Sequence, residues 1–247
     1  MKLRDITFAI VASIPLVAQD PPSAIVNIYR EQIKPGRIGA YMQIEEAAAR
    51  FCARAGCPNP YFAITSITGP NEAWWINGFD SADALEKVWR EYAANQEIAQ
   101  ELNSVAEKKA DLAFPGTNLL ARFREEMSFA STGISPHFFS ITVLHLKPGH
   151  ATVFRSMRVQ FKATLERAGR PQWVYQVTSG TEDDTFLIMT PARTMQEIYS
   201  TPSPIDRNDA VADLIVSSET RLYSVTPALS MPAPSWVEAD PEFWKRP

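Results

Sequence analysis

The sequence has little histidine, cysteine or glycine. Among 247 residues there are 3 histidines, 2 cysteines and 10 glycines. Ten glycines beside 19 prolines, with no Gly-X-Y period, exclude a collagen-like chain. Positive charge is also short: 24 lysines and arginines face 28 aspartates and glutamates, for a net charge of -4. A nucleic-acid surface would show a basic domain or stripe, so no nucleic-acid partner is expected. No apolar run approaches the roughly 18 residues of a membrane-spanning helix, so no span is expected. The phosphate-binding loop, G-x-G-x-x-G, H-E-x-x-H, G-x-S-x-G and EF-hand spacings are all absent, which removes the enzyme classes with the strongest signatures. What remains is ordinary globular composition, 45% apolar and 21% charged, long enough for one large domain or two small ones.

Residues 1-18 have the layout of a secretory signal peptide: Lys2 and Arg4, an apolar run from Ile6 to Val17, then Ala18 before Gln19-Asp20-Pro21-Pro22. They predict an exported protein, periplasmic or extracellular; a frayed strand or buried core segment is the alternative. In that compartment Cys52 and Cys57 can form one disulfide. Cys52 falls in the last turn of a helix and Gly56 is placed to reverse the chain, which brings a bridge within geometric reach. Two free buried thiols are the competing reading. A metal site is not expected, because no further ligand lies near in sequence.

A repeat runs through the chain at a shift of 113 residues. Lys34-Pro35-Gly36 recurs as Lys147-Pro148-Gly149, Arg54-Ala55-Gly56 as Arg167-Ala168-Gly169, and Thr65-Ser66 as Thr178-Ser179. Each copy begins with a β-branched and aromatic strand, Ile25 to Ile33 and Phe138 to Leu146. An amphipathic helix follows, marked by Tyr41, Ile44, Ala48 and Phe51 in one copy and Phe154, Met157, Phe161 and Leu165 in the other. A hairpin comes next, Tyr61 to Phe79 and Trp173 to Thr190, and then a second helix with Ser81 or Thr194 as N-cap. The first of these runs towards Leu112 with a break near Asn95; the second is interrupted by Pro202 and Pro204 and restarts from Asp206 to Val216. Final strands are expected near Leu119 to Phe129 and Thr220 to Leu229.

The fold class is therefore α+β, tandem ferredoxin-like βαββαβ repeats forming a pseudo-dimeric α/β barrel. The expected divisions are 1-18 signal peptide, 19-24 linker, 25-130 first domain, 131-137 linker, 138-231 second domain and 232-247 tail. Each βαββαβ unit leaves one sheet face bare, so the two faces should cover each other within the chain. Separate domains that each dimerise with another chain are the alternative. The tail carries four prolines with Trp236, Phe243 and Trp244, which suit either an extended segment pinned to the body or a disordered one.

The Lys-Pro-Gly strand ends, the helices and the strand running into Phe79-Asp80-Ser81-Ala82-Asp83-Ala84-Leu85 resemble the dimeric α/β barrel superfamily. That group includes the antibiotic-biosynthesis-monooxygenase-like and NIPSNAP-like families. Its members range from cofactor-free monooxygenases through haem-degrading and haem-binding enzymes to proteins of no known reaction. The resemblance implies a cavity between sheet and helices. Strand parity in such folds turns Asn27, Tyr29 and Glu31 towards it in the first copy and Ser140, Thr142 and Leu144 in the second. Haem-degrading members use an asparagine, a tryptophan and a second-helix histidine. Here Tyr29 and Phe79 stand at the first two places and neither second helix has a histidine, so no cofactor is expected. Haem, with His145 as its candidate ligand, is the lesser alternative; the plainer role of His145 is that of a polar strand end. His137 and His150 are expected to face solvent.

Trp75 and Asn77 share a strand face with Phe79, and this aromatic wall beside an amide suits a flat apolar ligand. Asn77, Tyr29 and Arg30 could stabilise an anion, with Glu31 as a base. The ligand-binding set is thus Asn27, Tyr29, Glu31, Trp75, Asn77, Phe79 and Thr142, with no residue assigned to catalysis. Arg155, Arg158 and Lys162 form a basic stripe where the matching helix carries Glu45, Glu46 and Arg50; a solvated charged face is the reading, with an anionic ligand or inter-domain pairing as the alternative. The leading expectation is an exported protein that binds a small apolar or aromatic molecule, with self-association left open. A cofactor-independent monooxygenase acting on a phenolic or quinol-like substrate and a structural or protein-interaction domain are the alternatives.

Overall fold

The computed structural model describes residues 22-130, 135-181, 184-201 and 209-245. The proposed signal peptide, most of the 131-137 linker, and Pro202, Pro204 and Asp206 lie outside the described residues. The first half runs β1 (Ile25–Gln32), α1 (Ile38–Ala55), β2 (Tyr61–Ser66), β3 (Glu72–Phe79), α2 (Ala82–Ala94), α3 (Gln96–Lys109) and β4 (Thr117–Phe123). The second runs β5 (Phe138–Leu146), α4 (Ala151–Ala168), β6 (Trp173–Ser179), β7 (Thr185–Ala192), α5 (Met195–Ser200), α6 (Asp209–Ala212) and β8 (Ile215–Val225). The elements α4 and β7 start and end 113 positions after α1 and β3.

The strands close into one antiparallel barrel in the order β1-β3-β2-β8-β5-β7-β6-β4. Closure leaves no unpaired edge. Alternation along each strand sends Val26, Ile28, Trp74 and Ile76 from one half and Phe139, Ile141, Leu187 and Met189 from the other into a shared core. The bare faces are therefore covered within one chain, and the reading as two separately dimerising domains is corrected. The shortest seam, β2 to β8, is reinforced by side chains. Arg221 pairs with Glu72 at 2.7 Å, and Glu72 also accepts from Tyr223 Oη at 3.0 Å and Trp74 Nε1 at 3.1 Å.

Local signals hold at several element ends. Ser81 and Thr194 cap α2 and α5, accepting from Ala84 N at 3.1 Å and Glu197 N at 3.3 Å. Asn95 leaves helical geometry at φ -98°, ψ 97°, and its side chain accepts from Ile98 N, so the chain breaks there and restarts as α3. After α1, Gly56 turns the chain through the left-handed region, and Cys52 and Cys57 are joined as a disulfide with Cα atoms 4.9 Å apart.

Three expectations, on β4, the helix before β8 and His137, are corrected, and the open reading of the tail is decided. Strand β4 stops at Phe123 because a 3-10 turn over Glu125–Met127 takes the chain out of the sheet, leaving Phe129 bridged only to Gln172. The helix expected to reach Val216 ends at Ala212, since Ile215 and Val216 begin the long strand β8 beside β5; pairing in the sheet overrides the local pattern. The C-terminal segment is ordered as α7 (Pro234–Ala239) and α8 (Pro241–Trp244). Trp244 is buried in the barrel core cluster, Trp236 meets Phe62 edge-on at 5.9 Å, and Phe243 stacks on His137 at 3.8 Å. His137 is thus covered rather than solvent-facing, and its Nε2 lies 2.8 Å from Asp240 Oδ2.

Candidate functional site

The outer face of β1 carries Asn27, Tyr29 and Glu31, because Val26 and Ile28 point into the barrel. The same alternation on β3 turns Trp75, Asn77 and Phe79 outward. Between this face and helices α1, α2 and α3 lies a cavity of about 660 Å³, within the range of small-molecule sites. Asn27, Tyr29, Trp75, Asn77 and Phe79 form its sheet wall; Trp89 and Tyr92 of α2, Leu102 and Lys109 of α3, and Glu45 and Cys52 of α1 form the helical side. Trp89 and Leu102 are partly exposed there.

In the second half larger side chains pack at the matching place. The repeat partners of Ala73, Tyr41 and Glu31 are Phe186, Phe154 and Leu144, and Phe154 packs on Phe186 at 5.0 Å beside Leu144 and Ile188. Thr142 is buried there, sharing a hydrogen bond of 2.7 Å with Thr220. It stands apart from the first-half cavity, as do Ser140 and Leu144.

A charged cluster underlies the cavity. Lys109 Nζ donates to Glu31 Oε2 at 2.7 Å and to Glu45 Oε1 at 2.5 Å. Tyr41 Oη donates to Glu31 Oε2 at 2.6 Å, and Tyr29 Oη donates to Glu31 Oε1. Glu31, Glu45 and Lys109 are 5%, 6% and 7% exposed, so this charge is held almost without water. Two carboxylates and one ammonium leave a formal charge of -1. The ammonium also lies 5.1 to 5.7 Å from the ring centres of Tyr29, Tyr41 and Trp75, a cation–π setting that helps replace its hydration.

The two carboxylates differ. Both oxygens of Glu31 accept hydrogen bonds, whereas among the described residues none donates to Glu45 Oε2. Burial pushes the Glu45 carboxyl above its ordinary value; Lys109 pulls it back less strongly, and Glu31 adds to the rise. Burial, reinforced by the same carboxylates, also holds the Tyr29 and Tyr41 phenols well above the usual tyrosine range, so both remain donors.

Beside this cluster an amide run crosses the wall. Asn59 Nδ2 donates to Asn77 Oδ1 at 2.9 Å, and Asn77 Nδ2 reaches Asn27 O at 3.4 Å. Asn59 Oδ1 is buried with no donor among the described residues. Gly116, just before β4, lets the Tyr29 phenol approach its backbone, since a Cβ there would overlap the ring.

Of the residues expected from sequence, five line the cavity, Glu31 anchors its cluster from behind, and Thr142 is elsewhere. Arg30 does not join them: it lies over Trp74, 5.6 Å from the ring centre and on the barrel-facing parity. Arg158 departs from the solvated-stripe reading. It is buried over Phe161 and donates to Gln172 Oε1 at 3.2 Å, and burial lowers its guanidinium to about 10. Sequence reasoning missed Glu45 as a cavity residue, and it missed Tyr41, Asn59 and Lys109. One signal was available: Glu45 falls in the buried stripe Tyr41, Glu45, Ala48, Cys52 of α1, and Lys109 in the stripe Ile98, Val105, Lys109 of α3. A charge inside an apolar stripe needs a partner.

No family model matches the chain, and no curated protein matches it in sequence. Solved structures do. A protein described as a candidate monooxygenase from Fusobacterium nucleatum subsp. nucleatum superposes with a TM-score of 0.56 at 12% identity, over 83% of this chain and 93% of that one. An anthrone oxidase-like protein gives 0.55 at 14% identity, over 83% and 92%. Chlorite dismutase from Candidatus Nitrospira defluvii, in complex with imidazole, gives 0.50 at 8% identity, over 83% and 92%.

This last likeness corrects the expectation of no cofactor, because chlorite dismutases are haem proteins and the fold is one that carries a prosthetic group. The cavity offers haem neither a histidine nor a free thiol. Its lining has no imidazole, its Cys52 sulfur is tied to Cys57, and Tyr29 and Lys109 are spent on Glu31 and Glu45. His145 lies on β5 in the other half, with Nδ1 2.8 Å from Thr185 Oγ1. Among the described residues no group of three histidines, cysteines or acids is placed to hold a metal ion, and no helix is long and apolar enough to cross a membrane. At identities of 8 to 14% the likeness shows the fold alone, and that fold is the dimeric α/β barrel of monooxygenase-like and chlorite dismutase-like proteins.

Proposed function

We propose that this protein is an exported oxygenase that binds a flat, hydroxylated aromatic molecule in the first-half cavity and oxidises it with dioxygen. The observation that carries the reading is the wall of Tyr29, Trp75 and Phe79, crossed by the amides of Asn27, Asn59 and Asn77, over a cavity of about 660 Å³. Aromatic walls hold flat apolar ligands, and a few amides orient them. The fold likeness to proteins described as a candidate monooxygenase and as anthrone oxidase-like supports oxygen chemistry. We read the chain as a ferredoxin-like unit duplicated over 25-130 and 138-231, on the monooxygenase-like rather than the NIPSNAP-like side of the superfamily. In this reading the first copy keeps the site and the second is filled. The layout of residues 1-18 and the Cys52–Cys57 bond support export.

The test is a panel of aromatic quinols and anthrones added to the purified protein, with tryptophan fluorescence reporting binding and an oxygen electrode reporting turnover. Quenching and oxygen uptake are expected, both weakened at least tenfold by Trp75→Ala. Quenching without oxygen uptake would leave a binding protein, and neither signal across the panel would overturn the reading.

A further inference from the structure

We infer that Glu45 is the catalytic base of this cavity and that its substrate carries an ionisable aromatic or enolic hydroxyl, whose proton Glu45 Oε2 accepts. The inference rests on the reading of the cavity as a site for a hydroxylated aromatic. It replaces Glu31, the base suggested by sequence, on geometric grounds. Glu31 spends both oxygens on Tyr29, Tyr41 and Lys109. Glu45 spends one, on Lys109, and lines the cavity.

The groups facing Glu45 are Lys109 from α3, Glu31 and Tyr29 from β1, and Tyr41 one turn earlier on α1. Together they hold a single excess negative charge. In the transfer the substrate O–H bond breaks, its electron pair stays on the substrate oxygen, and a new O–H bond forms at Glu45 Oε2. The site keeps its total charge of -1 throughout. Only the location of that charge changes, from the carboxylate to the aryloxide or enolate, so no ion has to be drawn into or released from the buried cluster. Burial, which raises the proton affinity of Glu45, makes it a stronger base than an exposed glutamate. Lys109 acts as a positioning residue: it holds Oε1 and leaves Oε2 without a donor among the described residues, and its charge sits over the Trp75 ring beside the cavity. Asn59 Oδ1, buried on the same wall without a donor among the described residues, is a second acceptor that favours a ligand with hydroxyl hydrogens to give.

The probe is a chromogenic nitrophenol, whose neutral and ionised forms absorb at different wavelengths. Bound to the wild-type protein below its own pKa, it is expected to show the ionised spectrum without releasing a proton to the buffer. Glu45→Gln, which keeps the shape, is expected to bind the probe in its neutral form, with the ionised fraction down at least tenfold. Glu45→Asp, which keeps a carboxylate, should still ionise it. Oxidation of any turned-over quinol by Glu45→Gln should fall about 10²- to 10⁴-fold, with loss of the acid limb of the kcat/KM profile. If the wild type binds the probe and Glu45→Gln ionises it equally well, the inference fails and the aromatic site stands. If the wild type binds no aromatic at all, both fail.

Discussion

Lys109 is the test of whether the charged cluster holds the first half together. Lys109→Met keeps the length of the stem and removes the ammonium, leaving Glu31 and Glu45 buried with no positive charge between them. Each lost contact, at 2.7 Å and 2.5 Å, is worth about 6 kcal/mol at an effective dielectric of about 20. Most of that is offset by the desolvation the ammonium no longer suffers, and stripping one partner from a buried pair leaves a net loss of about 3 to 5 kcal/mol. At about 2 to 4 °C per kcal/mol for a chain of this size, Tm should fall by about 6 to 20 °C. The loss has a definite pH dependence. Burial already lifts the Glu45 carboxyl above its unfolded value, and Lys109 is the group that opposes the rise. Without Lys109 the folded state takes up a proton at still higher pH, while the unfolded state waits until about pH 4.3. The native state then binds more protons than the unfolded one across that window, so stability falls as pH rises through it and recovers in acid. Denaturant midpoints of both proteins at about pH 7.5 and about pH 5 should show a gap that narrows at the lower value. A variant as stable as the wild type, or a gap of equal size at both pH values, would refute the assignment of Lys109 as counter-ion.

Two backbone positions allow sharper tests. A Cβ at Gly116 would overlap the Tyr29 phenol, so Gly116→Ala should push that ring off Glu31; the bared carboxylate oxygen costs about 1 to 3 kcal/mol, and quinol binding measured by fluorescence should weaken in parallel. Gly180, at φ +99° where β6 meets β4, has no room for a Cβ because the Asn118 carbonyl already occupies it. Gly180→Ala should therefore cost about 2 kcal/mol more in denaturant unfolding than Gly149→Ala, whose φ of +82° carries the conformational penalty of about 1 kcal/mol with nothing in the way. Equal losses at the two glycines would mean that the seam yields.

Patterns confined to a few neighbouring residues are legible in the sequence by itself. The three-and-four spacing of Tyr41, Ile44, Ala48 and Phe51 marks α1, Asn95 signals the break ahead of α3, and strand alternation alone puts Asn27 and Tyr29 on one face of β1 and Trp75, Asn77 and Phe79 on one face of β3. Where a decision belongs to pairing partners far along the chain, local pattern is not enough: β4 stops early and β8 starts early because turns and sheet neighbours outweigh their own residues. The site shows the same division. That Trp75 and Asn77 share a wall follows from a period of two. That Glu45 meets Lys109 across 64 residues, and Glu31 meets it across 78, is decided only when α1, α3 and β1 pack together. A buried charge marks its own need for a partner, but the partner is chosen by where the barrel places the helices. The same packing leaves the cavity beside Ala73 and sets Phe154 against Phe186 at the matching place, because the volume of a pocket is set by every side chain around it at once.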